Sequence, residues 1–222
     1  MLNLLPDYAP PPDSGLPLVH AEDAFLVLDK PSGLLSVPGR GAEKADCLAS
    51  RVQARYPDAL IVHRLDMETS GLIVMARGAD NHRLLSGNFE RRHVDKRYLA
   101  IVSGKFKAGE GTVNLPLITD WPNRPRQMVD HERGKPSCTH YRVISYNSAN
   151  DTSRVALAPV TGRSHQLRVH MQALGHPILG DALYAPSTVK SAASRLLLHA
   201  EWLAFPHPQT GLPCEFTATA PF

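Results

Sequence analysis

Thiols are scarce in this chain. Cys47, Cys138 and Cys214 are its three cysteines in 222 residues, far apart and without a CxxC pair. That spacing argues against a disulfide framework and a cysteine zinc site, and predicts reduced thiols in a cytoplasmic protein. No run approaches the ~18 apolar residues of a membrane-spanning helix. The N-terminus lacks the basic start and apolar core of a secretion signal. A Gly-rich phosphate loop and an HExxH pair are also missing. His165 and His170 are five residues apart, off the one-turn spacing of a helical metal pair. No metal or cofactor site is therefore indicated.

What is present suits a globular protein. Apolar residues make up 43% and charged residues 20%, and a chain of this length can bury about 70% of its unfolded surface. One domain, or one domain with lobes, is expected. Net charge is only +3, but it is uneven. Residues 1–62 hold 5 Lys+Arg against 8 Asp+Glu, whereas 63–222 hold 19 against 13. Within 83–107, seven cations (Arg83, Arg91, Arg92, Lys96, Arg97, Lys105, Lys107) face Glu90 and Asp95 alone. That segment is a candidate phosphate-binding face or a solvated helix face.

Pro6, Pro10, Pro11, Pro12 and Pro17 mark residues 1–18 as a flexible or extended arm. Helices are predicted over Asp46 to Tyr56, Asp80 to Arg92 (Leu84, Leu85 and Phe89 inward) and Gln166 to Leu174 (Leu167, Val169, His170 and Leu174 partly inward). Strands are predicted at Phe25 to Leu28, Tyr98 to Val102, Thr112 to Leu117, Tyr141 to Tyr146, Arg154 to Ala158, Leu196 to Phe205 and Glu215 to Ala220. Many strands with few helices between them point to an α+β class with a mostly antiparallel sheet.

The most informative stretch is His63-Arg64-Leu65-Asp66-Met67-Glu68-Thr69-Ser70-Gly71. Apolar runs, Leu60-Ile61-Val62 and Leu72 to Ala76, flank it. Two buried strands would fix this polar loop in space, as a reactive carboxylate requires. Asp66 could equally cap backbone amides in an ordinary turn.

His-Arg-Leu-Asp-x-x-Thr-Ser-Gly-Leu resembles the catalytic motif of the RluA family of pseudouridine synthases. Four further segments resemble that family's motifs in order: Leu28 to Leu34, Lys96 to Ala100, Thr161 to His170, and Arg195 to Ala200. The resemblance runs from about Val19 to the C-terminus. Residues Asp120 to Gln127 and the short length are similar to the members that act on both 23S rRNA and tRNA. The resemblance implies the pseudouridine synthase fold, a long mixed, mostly antiparallel sheet with a central catalytic cleft and flanking helices. It implies a catalytic domain over 19–222 acting on structured RNA, a 23S rRNA hairpin and a tRNA anticodon stem-loop. The opening strand begins near residue 24, so no separate S4-type RNA-binding domain is expected ahead of it, and a monomer is expected.

The implied reaction breaks the N1–C1′ bond of a uridine, turns the uracil and joins C5 to C1′. It needs no cofactor and no metal. Asp66 is the implied catalytic carboxylate, attacking the anomeric carbon or taking a sugar proton. Arg168 matches the arginine that favours its ionised form, the alternative being a helix arginine on a phosphate. Tyr98 matches the aromatic that packs on the base and assists C5 proton movement; without the motif it reads as a strand tyrosine in the core. Leu198 is an expected wall of the target-base pocket, or simple core.

The nucleotide must be extruded from the folded RNA. Arg64, two residues before Asp66, suits filling the gap or holding a phosphate, or simply packs the loop. Arg91, Arg92, Lys96 and Arg163 are expected to meet RNA. Trp121, Asn123, Arg124 and Arg126 sit in a Pro-rich loop that reads as a clamp on unpaired bases, or as a surface hairpin without a ligand. Two other functions compete: an RNA-binding protein on the same fold with catalysis lost, and a carboxylate-dependent nucleoside hydrolase. The former should have lost Asp66, Tyr98 or Arg168; the latter should release free uracil. An rRNA-only or tRNA-only specificity is the alternative within the family.

Overall fold

The computed structural model describes residues 8–222, and these form two compact units. Unit 1 comprises the described residues up to Lys96 together with His199–Pro221; unit 2 comprises Arg97–Leu198 with Phe222. The chain begins with strands β1 (Leu18–Ala21) and β2 (Phe25–Lys30), helix α1 (Leu48–Gln53), strands β3 (Ala59–Ile61) and β4 (Ser70–Arg77), and helix α2 (Gly78–Glu90). Strand β5 (Asp95–Ser103) leads into β6 (Glu110–Asn114), β7 (Leu117–Thr119), β8 (Gln127–Val129), β9 (Cys138–Asn147) and β10 (Thr152–Pro159). Helices α3 (Gln166–Ala173) and α4 (Ser187–Lys190) follow, and β11 (Leu198–Pro206) and β12 (Pro213–Thr217) close the chain. The α+β class and the antiparallel bias match the expectation.

In unit 1 the strand order is β1–β2–β4–β11, with β3 added to β4 and β12 to β11. All pairs are antiparallel except β4 with β11, where Ser70 faces His199 and Gly71 faces Ala200. Strand β4 is buried from Ser70 to Ala76, as a central strand covered on both faces must be. Leu72, Val74 and Ala76 share one core with Phe25, Val27, Leu85, Leu203 and Phe205. Gly71 has φ +111°, and a Cβ there would collide with the Ala200 backbone. Glycine therefore permits the parallel approach of β11. Residues 8–17 carry no helix or strand, yet Tyr8 donates to the Asp46 carbonyl (2.9 Å) and Arg51 donates to the Pro11 carbonyl (2.7 Å). The arm's first seven residues lie outside the described residues.

Unit 2 is built on β5–β10–β9–β6, wholly antiparallel, with β7–β8 as a separate hairpin. Helix α3 turns Leu167 and Met171, one turn apart, onto Ala100, Val102, Val155 and Leu157. Its Val169 joins Leu117 and Tyr184 in a smaller cluster.

Several boundaries differ from expectation. The strand predicted over Thr112 to Leu117 is two strands, because Pro116 has no N–H to continue the ladder. The final strand covers Pro213–Thr217 and not Glu215 to Ala220. Leu84 is 39% exposed, and the inward positions of α2 are Leu85, Asn88 and Phe89. Leu174 is exposed too, past the end of α3. No helix among the described residues is long and apolar enough to cross a membrane.

Candidate active site

The loop carrying Asp66 leaves β3 and enters β4, both in unit 1. Four polar groups from one neighbouring segment hold it. Lys30 is fully buried, and its ammonium donates to the carbonyls of Pro31 (2.8 Å), Leu34 (2.7 Å) and Met67 (2.9 Å). Ser32 donates to the Glu68 carbonyl (2.7 Å), and the Gly33 amide to the Met67 carbonyl (2.9 Å). Ser36 donates to the Leu65 carbonyl (2.8 Å) and accepts from the Leu65 amide (3.2 Å). The backbone on both sides of Asp66 is thus fixed, and the Thr69 amide closes a turn on the Asp66 carbonyl (3.1 Å). Asp66 itself is half-buried, while Arg64 is exposed beside it.

By sequence Lys30 opens the Lys30-Pro31-Ser32-Gly33 turn that stops the strand predicted over Phe25 to Leu28, whereas β2 runs on to Lys30. Burial assigns it another task. All three N–H groups of an ammonium meet carbonyl oxygens, which methionine cannot reproduce. Lys30→Met is expected to destabilise the protein by at least about 2 kcal/mol, since several buried carbonyls lose their donor. Turnover should fall further than the folded fraction does. Chemical denaturation alongside rate measurement checks this, and an unchanged stability would contradict it.

His63 opens the same loop. Its Nε2 accepts from the Val74 amide of β4 (3.1 Å), and its ring stacks on Phe89 at 4.5 Å between centroids. Burial, then the Lys96 charge, pushes its pKa from 6.5 to about 3. Protonation would bring two N–H groups head to head. The neutral ring is therefore the one the fold needs, and its contribution is complete above pH 6.5 and withdrawn as pH falls toward about 3. The His63 ring signal in an NMR titration should remain neutral at pH 5, where an ordinary histidine is charged. A midpoint near 6.5 would contradict this. Burial also lowers the pKa of Lys96, whose ammonium lies 5.8 Å from the Phe89 ring centroid.

At the other end of the loop, Ser70 bonds His199 Nδ1 (2.8 Å), and His199 Nε2 donates to the Ala218 carbonyl (3.2 Å). This buried histidine comes from the last of the five matched motifs.

Unit 2 holds Arg168, Tyr98 and Leu198. Arg168, on α3, is 3% exposed. Its Nε donates to Asp181 Oδ2 (2.8 Å) and its Nη2 to Asp181 Oδ1 (2.7 Å), a two-point ion pair. Asp181 carries no signal in the sequence, since its spacing from Arg168 follows no local periodicity. Tyr98 on β5 is half-buried against the unit 2 core, and Leu198 is a buried member of that core.

The Pro-rich loop is the tip of the β7–β8 hairpin, closed where Thr119 faces Gln127. Trp121 is 65% exposed, and the Arg124 guanidinium sits 4.8 Å from its ring centroid. Asn123 donates to the Asp120 carboxylate (3.0 Å). Arg126 Nε is buried without a hydrogen-bond partner among the described residues. Arg163 is exposed and donates to the Pro136 carbonyl (3.3 Å). Arg91 and Arg92 are exposed after α2 in unit 1, with Arg91 donating to Asn88 Oδ1 (3.3 Å). Among the described residues, no cluster of His, Cys, Asp and Glu could hold a metal ion.

A family model described as RNA pseudouridylate synthase matches residues 24–173. The chain is 52% identical over 216 residues to the dual-specificity RNA pseudouridine synthase RluA of Escherichia coli K12, covering 97% of this chain and 98% of the relative. The chain belongs to the RluA-type family of RNA pseudouridine synthases. Its members are RNA isomerases. The enzyme of the same name from Pasteurella multocida Pm70 is 52% identical over 215 residues, again covering 97% and 98%. The solved structure of human RNA pseudouridylate synthase domain containing 1 superposes with a TM-score of 0.80 at 30% identity, covering 96% of this chain and 87% of that one. The pseudouridine synthase fold expected from the five motifs is therefore the fold of this chain.

Proposed function

We propose that this protein converts uridine to pseudouridine in two kinds of structured RNA, a 23S rRNA hairpin and a tRNA anticodon stem-loop, acting as a monomer in the cytoplasm. The observation that carries the reading is the Asp66 loop, a carboxylate in the family's matching motif held on rigid backbone by Lys30, Ser32, Gly33 and Ser36. The near full-length likeness to relatives named as dual-specificity enzymes supports the two substrates.

In this reading Asp66 is the catalytic carboxylate, Arg168 supplies the positive charge that favours its ionised form, and Tyr98 meets the target base beside Leu198. One carboxylate suffices because the uracil leaving group is retained and rejoined, so no water must be activated. Arg64, exposed beside Asp66, fills the gap left by the extruded nucleotide or holds its phosphate. Arg91, Arg92, Lys96 and Arg163 contact the RNA backbone.

Trp121, Asn123, Arg124 and Arg126 capture unpaired bases. The exposed Trp121–Arg124 pair presents aromatic and guanidinium planes together, the groups on which splayed bases stack. Replacing Trp121, Asn123 and Arg124 by Ala should weaken stem-loop binding by roughly 1–3 kcal/mol for each base left unstacked. The single-turnover rate at saturating enzyme should change much less. A triple variant that binds normally but cannot turn over would place the loop in the chemistry instead. The substrate assignment is tested by mapping pseudouridines in rRNA and tRNA from a strain lacking the gene, with and without complementation. Loss and recovery of one site in each RNA is expected. Loss in only one RNA class would reduce the proposal to a single specificity.

A further inference from the structure

Arg168 does not sit on α3 as a lone cation. Asp181 is fully buried, grips the guanidinium at two points, and its Oδ1 also accepts from the amides of Leu183 (2.9 Å) and Tyr184 (3.1 Å). A carboxylate held by two backbone amides is a fixed anvil, and the planar fork of arginine takes its orientation from it.

The backbone beneath Asp181 is itself pinned. Leu179 donates to the Ile101 carbonyl of β5 (3.0 Å) and accepts from the Leu197 amide (3.0 Å). Gly180 has φ +76°, and a Cβ on it would collide with the Arg195 carbonyl. The next aromatic, Tyr184, lies against the same guanidinium at 5.0 Å, and against Arg126 of the clamp hairpin at 5.5 Å. Its hydroxyl accepts from the Gln127 amide of β8 (2.8 Å) and is bonded to His165 Nδ1 (2.6 Å). His165 precedes α3 at φ +54°, a conformation uncommon for residues other than glycine.

We propose that Asp181 is a positioning residue for the isomerisation, acting through Arg168, and that Tyr184 joins this ion pair to the base of the RNA-clamp hairpin. This rests on the functional reading above. Asp181 contributes no proton and no bond to the reaction. Its task is to hold the guanidinium in one orientation, so that the cation required in the transition state is in place before RNA arrives.

The full chain is assayed with C5-tritiated RNA stem-loop, measuring single-turnover tritium release at saturating enzyme, RNA affinity and thermal unfolding. Asp181→Asn should lower the rate by about 10- to 100-fold, the range typical when a group that orients a functional side chain is lost. RNA affinity should stay within about twofold, because the phosphate-facing cations are untouched. A normal rate would overturn the proposal, as would a loss explained by the unfolded fraction at the assay temperature.

Asp181→Asn could fail to fold, since it weakens a buried ion pair. Arg168→Met/Asp181→Met removes both charges and avoids an unpaired ion. Its rate should match that of Arg168→Met within about twofold, because a positioning residue has nothing left to position. A further large fall would show that Asp181 acts on its own and would overturn the proposal. Absence of tritium release by the unaltered protein would instead defeat the functional reading itself.

Discussion

Asp66→Asn is expected to stop isomerisation while leaving the fold and most RNA affinity in place. The substitution is nearly isosteric, and the loop is held through backbone carbonyls at Leu65, Met67 and Glu68 and not through the carboxylate alone. The turn closed by Thr69 uses the Asp66 carbonyl, which asparagine retains. What is lost is the negative charge and, in the proposed mechanism, the oxygen that attacks the sugar or takes its proton. A fall of about 10⁴-fold or more is expected, the scale of removing an essential nucleophile or base. Tritium release from C5-labelled uridine in RNA measures it, with thermal unfolding as the control for structure. Near-normal release would remove Asp66 from the mechanism.

Arg168→Met has the second largest expected effect, and it is felt twice. The guanidinium is buried and paired with Asp181, so its removal strands a carboxylate in the interior beside the Leu183 and Tyr184 amides. Breaking a buried pair by deleting one member typically costs about 3–5 kcal/mol. Turnover should drop by roughly 10²- to 10³-fold in the protein that remains folded, the scale of losing an electrostatic stabiliser of the transition state. Arg168→Lys should restore stability in part and rate little, because an ammonium cannot make both guanidinium bonds to Asp181. Single-turnover rates at saturating enzyme, corrected for the folded fraction, separate the two losses. A rate unchanged after that correction would make Arg168 a structural ion-pair residue alone.

The parts of this molecule that are legible in the sequence share a physical trait: they are encoded locally. Leu72 to Ala76 is a continuous apolar run, and it becomes the buried central strand. The polar residues between it and Ala59–Ile61 become the loop that presents Asp66. Helix α3 is readable too: of the four residues expected inward, Leu167, Val169 and His170 are buried, and Leu174 lies exposed past its end. The strands β7 and β8 are three residues each, too short for alternation to register, and their hairpin reads only as a Pro-rich loop.

What stays hidden depends on tertiary structure. Lys30 is a charged residue by sequence and a triple donor to carbonyls by structure. Asp181 is a carboxylate in a turn until α3 brings Arg168 against it. The two compact units are likewise invisible, because unit 1 is completed by His199–Pro221 from the far end of the chain. No composition shift marks that return.

Isomerisation of uridine within RNA is measured directly by one assay. A stem-loop carrying C5-tritiated uridine is incubated with the purified protein without added metal or cofactor. Tritium released to water, pseudouridine in the RNA and free uracil are all quantified. Tritium and pseudouridine in equal amounts, with no free uracil, are expected. Free uracil without pseudouridine would make the protein a hydrolase. RNA binding without any tritium release would make it a binding protein on the same fold. Either result would contradict a uridine isomerase.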